Sequence, residues 1–347
     1  MENLQHVKDF YQERIYGRWR SGEKVSFDIN RVSQRKEVTD PNNPFASMFK
    51  LSTEDEGIDV VINVSREGKS VSFTVRVYIP SIDRTKYPDG CPFIVCMHPI
   101  APKDYALNKG YGLIFMDTSM IAEDNNLRKG CFYDLYPYSV DADAQTGELM
   151  AWSWGASKVL DAIDSGLGKA IGFDGKKASI TGVSRWGKAT AVCGAFEDRF
   201  QNVIPVCSGA GGLALWSYQS EGKSYDLTHC GGPKDYVYGQ NEPLSCLQSE
   251  AEQGWFIDRF LEYKTYDDIE VEQYMLPILA AKSQRKYIIV AAWMGEDWVN
   301  APAMWACYEK ALEGYKELGL SNNLYAFFHK EGHAVLKEDL EKIFEVI

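Results

Sequence analysis

The stretch Ile180-Thr181-Gly182-Val183-Ser184-Arg185-Trp186-Gly187-Lys188-Ala189 decides how the rest of the chain is read. A short β-type segment, Ala178–Thr181, precedes it, and a small-residue helical pattern, Ala189–Ala195, follows. A serine between two glycines at a strand-to-helix turn has a physical meaning. The glycines permit a turn too tight for a β-carbon, and the turn lifts the hydroxyl clear of the sheet. The helix N-terminus behind it offers backbone N–H groups and a positive dipole end to an oxyanion. On this reading Ser184 is a nucleophile.

A nucleophilic serine needs a base, and the base needs an acid to orient it. Working outward, the flanking sequence supplies strands that end in such residues. Pro92–Met97 and Gly112–Met116 are continuous apolar runs, as expected of strands buried on both faces. Val203–Cys207, Tyr287–Ala292 and Leu324–Phe328 read as further strands, while Glu148–Ile163, Ala303–Leu318 and Val335–Ile347 have helical periodicity. Ile58–Val64 and Val71–Ile79, joined through Gly68, predict an antiparallel hairpin at the edge. Residues 1–20 read as an amphipathic helix, followed by a polar stretch containing Asp40-Pro41-Asn42-Asn43-Pro44. Alternating strands and helices imply a mostly parallel sheet covered on both faces, an α/β three-layer sandwich. The expectation is a single domain over 1–347, with an N-terminal extension over 1–57 and a cap-like insertion over 213–275.

Composition bounds the function. The 347 residues are 45% hydrophobic and 25% charged, ordinary for a globular chain with a large core. The formal charge of −12 argues against nucleic acid and anionic membranes as partners. The N-terminus shows no cationic and apolar leader pattern, and no apolar run approaches the ~18 residues of a membrane span. Eight cysteines without C-x-x-C spacing read as reduced thiols, which together with the missing leader predicts a cytoplasmic location. Five histidines without H-E-x-x-H spacing predict neither a metal nor a cofactor. Oligomeric state is not encoded in any motif.

In α/β-hydrolases the chain order is serine, acid, histidine, each partner following a strand. The Tyr287–Ala292 strand leads into Gly295-Glu296-Asp297-Trp298, and Leu324–Phe328 leads into His329-Lys330-Glu331-Gly332-His333. His333, after a glycine and before the last helix, is placed to swing over Ser184, whereas His329 abuts the strand and reads as structural. Glu296 and Asp297 are adjacent, so only one can face the histidine. The loop at His98-Pro99, after the first buried strand, either donates an oxyanion N–H or merely packs. Arg185 and Lys188 flank the serine at a helix N-terminus, where the dipole opposes cations. That conflict points to a functional use, holding an oxyanion, a carboxylate or sugar hydroxyls.

The turn departs from G-x-S-x-G, because Trp186 stands where the second glycine belongs and Gly187 follows one residue later. The resulting G-x-S-R-x-G-K pattern resembles the glucuronoyl esterases of carbohydrate esterase family fifteen. Ala151-Trp152-Ser153-Trp154-Gly155 is similar to that family's A-W-A-W-G helix, Ser208-Gly209-Ala210-Gly211-Gly212 to its S-G-x-G-G loop, and Trp255-Phe256 to its W-F segment. Gly68–Phe73 through Pro80 resembles its leading hairpin, and Gly332-His333 its catalytic histidine. The resemblance implies the α/β-hydrolase fold with Ser184 attacking an ester carbonyl. Arg185 would stabilise the oxyanion and Lys188 would bind uronate hydroxyls. The family places its acid either in S-G-x-G-G, where this chain has Ala210, or in an acid-x-Trp pattern. The second pattern implies Glu296 as acid, with Asp297 as the alternate, and Trp298 as a sugar contact. A family glutamate that binds the sugar maps to Glu221.

The function implied is a serine esterase that hydrolyses esters of glucuronic acid, as in glucuronoxylan joined to lignin, with a small-molecule or oligosaccharide uronate ester as substrate. Two other readings use the same residues. One is an acetyl esterase acting on acetylated xylo-oligosaccharides. The other is a carbohydrate-binding relative without catalysis.

Overall fold

A computed structural model describes residues 4–30, 57–81, 84–97 and 102–347 of the chain. Its strands are β1 (Lys24–Asn30), β2 (Ile58–Arg66), β3 (Lys69–Tyr78), β4 (Cys91–Cys96), β5 (Gly112–Met116) and β6 (Phe173–Val183). They continue with β7 (Asn202–Val206), β8 (Ser224–Tyr225), β9 (Tyr236–Val237), β10 (Lys286–Met294) and β11 (Leu324–Glu331). Nine of them form one sheet in the order β1-β2-β3-β5-β4-β6-β7-β10-β11. From β5 to β11 every neighbouring pair is parallel, whereas β1, β2 and β3 join antiparallel at one edge. The apolar runs explain the arrangement. Every residue of β5 and β7 is buried, and so is the middle of β10, as strands covered on both faces require.

Helices cover both faces. On one, the helices Glu148–Ala162 and Arg185–Phe196 pack together through small residues, and the first is buried at fourteen of its fifteen positions. On the other, the C-terminal helix Lys337–Val346 sets Phe344 against Tyr111, with ring centroids 4.2 Å apart. This is the α/β-hydrolase sandwich that the strand and helix patterns predict.

Some elements differ from expectation. The serine strand is longer than its apolar signal, because it starts at Phe173 in polar sequence that pairs with the beginning of β4. The last strand runs on to Glu331, which places His329 inside it. The N-terminal helix spans Leu4–Phe10 and continues as a wide turn to Ile15. Part of the N-terminal extension enters the sheet, since β1 pairs with β2 along its length. The stretch at 40–44 and the His98-Pro99 loop lie outside the described residues.

The 213–275 segment holds the two-stranded β8–β9 hairpin, short helical turns and aromatic packing. Trp216, Phe256 and Phe260 are buried core side chains. The N-terminal helix braces this segment, because Tyr11 donates to the Glu272 carbonyl at 2.8 Å and Tyr16 to the Gly211 carbonyl at 2.9 Å. Among the described residues no helix is long and apolar enough to cross a membrane.

The turn between β6 and its helix explains both glycines by close approach. A β-carbon on Gly182 would lie 2.5 Å from the Trp186 carbonyl oxygen, and one on Gly187 would collide with the Val206 carbonyl oxygen. Both obstacles are backbone and cannot rotate away. Gly187→Ala is therefore expected to cost about 1–3 kcal/mol, the usual price of overpacking a tight interior. A lowered denaturant midpoint at unchanged slope in equilibrium unfolding checks this, and wild-type stability would contradict it.

Candidate active site

Ser184 sits at φ 64° and ψ −127°, a conformation that costs a non-glycine residue about 1–3 kcal/mol. The turn is held on both sides. The Ser184 N–H donates to the Val206 carbonyl at 2.9 Å, and its own carbonyl accepts the Lys188 N–H at 2.9 Å. The strained turn exposes the hydroxyl at the end of β6, on the rim where β10 and β11 also end.

From β11 comes His333, after Gly332 at φ 115°. From the end of β10 comes Glu296, whose side chain is 7% exposed. The His333 Nδ1 is joined to Glu296 Oε2 by a short hydrogen bond. With Nδ1 committed, Nε2 is the nitrogen available for proton exchange. Asp297 faces elsewhere. Its Oδ1 accepts from the Tyr236 hydroxyl at 2.7 Å and its Oδ2 from the Gly239 N–H at 2.9 Å, tying β9 to the post-β10 loop. The structure thus brings Glu296, and not the alternate Asp297, to the histidine. Cys207, the residue after β7, also approaches. Its sulfur, a Glu296 oxygen and a His333 nitrogen lie within 4.8 Å of one another. Burial, followed by the Glu296 charge, pushes the Cys207 thiol up, so it stays protonated beside the carboxylate.

His329 holds the loop that carries His333. Its Nε2 lies 2.8 Å from the Gly332 carbonyl oxygen, which can only accept, so this nitrogen bears a proton. Its Nδ1 lies 3.0 Å from Asp339, whose other oxygen accepts the Leu336 N–H at 2.8 Å. Burial disfavours the charged ring, but the Asp339 hydrogen bond and charge and the Gly332 carbonyl outweigh it, and the His329 pKa is raised. The residue is a buried histidine that bridges β11, the His333 loop and the last helix.

In front of Ser184 lies a pocket of about 430 Å³ lined by Arg185, Lys188, Glu242, Cys246, Trp255 and Trp298 among others. Lys188 is buried, and its ammonium donates to the Ala210 carbonyl at 2.5 Å and to Glu242 Oε2 at 2.8 Å. The Arg185 guanidinium donates to Asp124 at 2.5 Å and stacks 5.2 Å from the Trp255 ring. Trp298 is 48% exposed at the rim, with its ring 5.8 Å from that of His333.

Glu221 is misplaced by the sequence reading. It is exposed, is not among the residues lining the pocket, and uses its backbone N–H on Asn241 Oδ1 at 3.1 Å. Asn241 anchors that turn, and the glutamates that line the pocket are Glu242, twenty-one residues later, and Glu252. Sequence offered no signal for Glu242, because the insertion has little regular structure from which to read direction. Glu252 gives no signal for the same reason, Asp124 gives none because its partners come from distant loops, and Trp255 is visible only through the W-F resemblance.

Residues 62–319 match the family described as "Glucuronyl esterase, fungi". The chain belongs to the glucuronoyl esterase family. A "Multidomain esterase" of Ruminococcus flavefaciens is 43% identical over 295 residues, covering 83% of this chain and 38% of the relative. A "4-O-methyl-glucuronoyl methylesterase" of Hypocrea jecorina is 30% identical over 301 residues, covering 86% of this chain and 58% of the relative. The chain therefore spans between about four and six tenths of the length of these two relatives. A solved family-15 glucuronoyl esterase from Caldicellulosiruptor kristjansonii superposes with TM-score 0.82 at 30% identity, covering 99% of this chain and 83% of that one. The 62–319 match contains Ser184 and Glu296, and the structural likeness extends over nearly the whole chain.

In this member of the glucuronoyl esterase family the buried His329–Asp339 pair sets a pH dependence. A histidine with raised folded pKa adds stability in full below its unfolded pKa of about 6.5, and that stability is lost as pH rises through the folded value. The thermal midpoint is expected to fall across that alkaline interval. His329→Gln leaves Asp339 uncompensated and should cost about 3–5 kcal/mol near neutrality while removing that pH dependence. Thermal melts of both proteins across pH 5–9 check it.

Proposed function

We propose that the chain is a metal-independent serine esterase that cleaves esters of glucuronic acid at the uronate carboxyl. The observation that carries the reading is the His333–Glu296 hydrogen bond at the strand ends beside a strained Ser184, in a pocket that also holds Arg185 and Lys188. The glucuronoyl esterase relatives and the match to their family support the substrate class.

In the first half-reaction His333 Nε2 takes the Ser184 proton as the oxygen attacks the ester carbonyl. Glu296 keeps the ring in the Nδ1–H tautomer and stabilises the imidazolium that forms. The tetrahedral oxyanion is met by the Arg185 backbone N–H, at the helix N-terminus, and by the Arg185 guanidinium. His333 then returns the proton to the leaving alcohol, leaving a glucuronoyl ester on Ser184. Water, activated by the same histidine, releases glucuronate and restores the serine. Lys188 and Glu242 form a buried donor and acceptor pair suited to vicinal sugar hydroxyls, and Trp298 offers an exposed aromatic face at the rim.

Two measurements test this. The protein should release methanol from methyl glucuronate and little acetate from acetylated xylo-oligosaccharides. The reverse preference makes it an acetyl esterase, and no turnover of either by folded protein makes it a binding relative. Within the site, Glu296→Gln should lower kcat by roughly 10³-fold or more. Asp297→Asn should leave kcat near wild type and lower stability by about 1–3 kcal/mol through the weakened loop tie. A larger kcat loss in Asp297→Asn than in Glu296→Gln would reassign the acid.

A further inference from the structure

A carboxylate stands behind each cation of the pocket. Glu242 meets Lys188 at 2.8 Å, and Asp124 meets Arg185 at 2.5 Å. Asp124 does more than pair. Its Oδ2 accepts from Arg185 Nη1 and its Oδ1 from the Trp255 indole N–H at 2.8 Å, so one carboxylate joins two residues of the pocket wall. The guanidinium lies 5.2 Å from the centre of the Trp255 ring and 5.8 Å from that of the Trp186 ring. The Trp255 backbone is itself gripped, because Arg128 donates to the carbonyls on either side, at Gly254 and, at 2.8 Å, at Phe256.

We propose that Asp124 is a positioning residue with two effects. It fixes the Arg185 guanidinium for the developing oxyanion, and it keeps the site from retaining the uronate product. The inference rests on the esterase reading above.

The chemistry of the product supplies the second effect. The substrate carbonyl is neutral, whereas the product carboxylate carries a full negative charge next to Arg185. A guanidinium with its fork open binds a carboxylate through two parallel hydrogen bonds, the strongest arrangement the pair can adopt. Asp124 occupies Nη1, which closes the end-on fork, and its charge offsets that of the guanidinium, so the product meets an already paired cation. The oxyanion loses less, because it is stabilised at hydrogen-bond range by fixed donors, including the Arg185 backbone N–H. The site thereby favours the transition state over the hydrolysed acid.

The test is steady-state hydrolysis of methyl glucuronate with added glucuronate as inhibitor, on wild type, Asp124→Asn, Arg185→Gln and the double variant. Asp124→Asn is expected to lower kcat about tenfold or more, as loss of a charged hydrogen bond does, and to lower the glucuronate inhibition constant by a similar factor. In the Arg185→Gln background the same substitution should change neither quantity, because Asp124 acts through Arg185. Asp124→Glu, which keeps the charge, should preserve the wild-type inhibition constant and guards against a folding artefact in Asp124→Asn. An unchanged or raised inhibition constant in Asp124→Asn overturns the product-rejection role. Equal losses with and without Arg185 overturn the positioning role. If Arg185→Gln itself keeps full kcat, the fault lies in the oxyanion assignment and the proposal falls with it.

Discussion

The structure depends on keeping one serine in a conformation its backbone resists. Ser184 at φ 64° has no intrinsic reason to stay there, and the surroundings have to overdetermine it. They do so through Val206, whose carbonyl accepts the Ser184 N–H and closes over Gly187. That carbonyl is in place because β6 and β7 pair in register up to Val183 and Val206, and because β7 is buried throughout. The small-residue helix Arg185–Phe196 completes the clamp by packing closely on the buried helix Glu148–Ala162. Sheet register, helix packing and the orientation of one hydroxyl are thus a single mechanical unit.

Around that unit four pairs of oppositely ionisable groups meet. His333 faces Glu296, His329 faces Asp339, Lys188 faces Glu242 and Arg185 faces Asp124. Buried charges need such partners, since an uncompensated one costs several kcal/mol. In the proposed reaction the pairing has a use: the glutamate fixes the tautomer of the base, the second histidine holds the loop that carries it, and the two acids set how the cations present themselves to a sugar acid. An overall charge of −12 coexists with a cationic pair inside the pocket, so the bulk charge is no guide to the ligand of the site.

Much of this was legible in the sequence where periodicity or turn chemistry carries the signal. The apolar runs of β4, β5, β7 and β10, the hairpin of β2 and β3 and the glycines around Ser184 each have a local cause, and their outlines follow from it. His333 was separable from His329 because one sits in a loop after glycine and the other abuts the strand. Glu296 and Asp297 were not separable from local sequence, because adjacent residues differ only in which way the loop turns. That turn is decided at long range by Tyr236 and Gly239, which capture Asp297. Glu221 failed for a related reason, since direction within an insertion of short turns is set by tertiary contacts such as those of Asn241. Asp124 left no trace at all, as its role exists only once three loops meet.

The central claim is that Ser184 carries the glucuronoyl group between two half-reactions. Intact-protein mass spectrometry after rapid acid quench of an activated glucuronate ester turnover addresses it directly. The account predicts a mass increase of one glucuronoyl group, mapped by peptide analysis to Ser184 and absent in Ser184→Ala. Turnover with no covalent adduct, or an adduct mapped to Cys207 or Cys246, would contradict it.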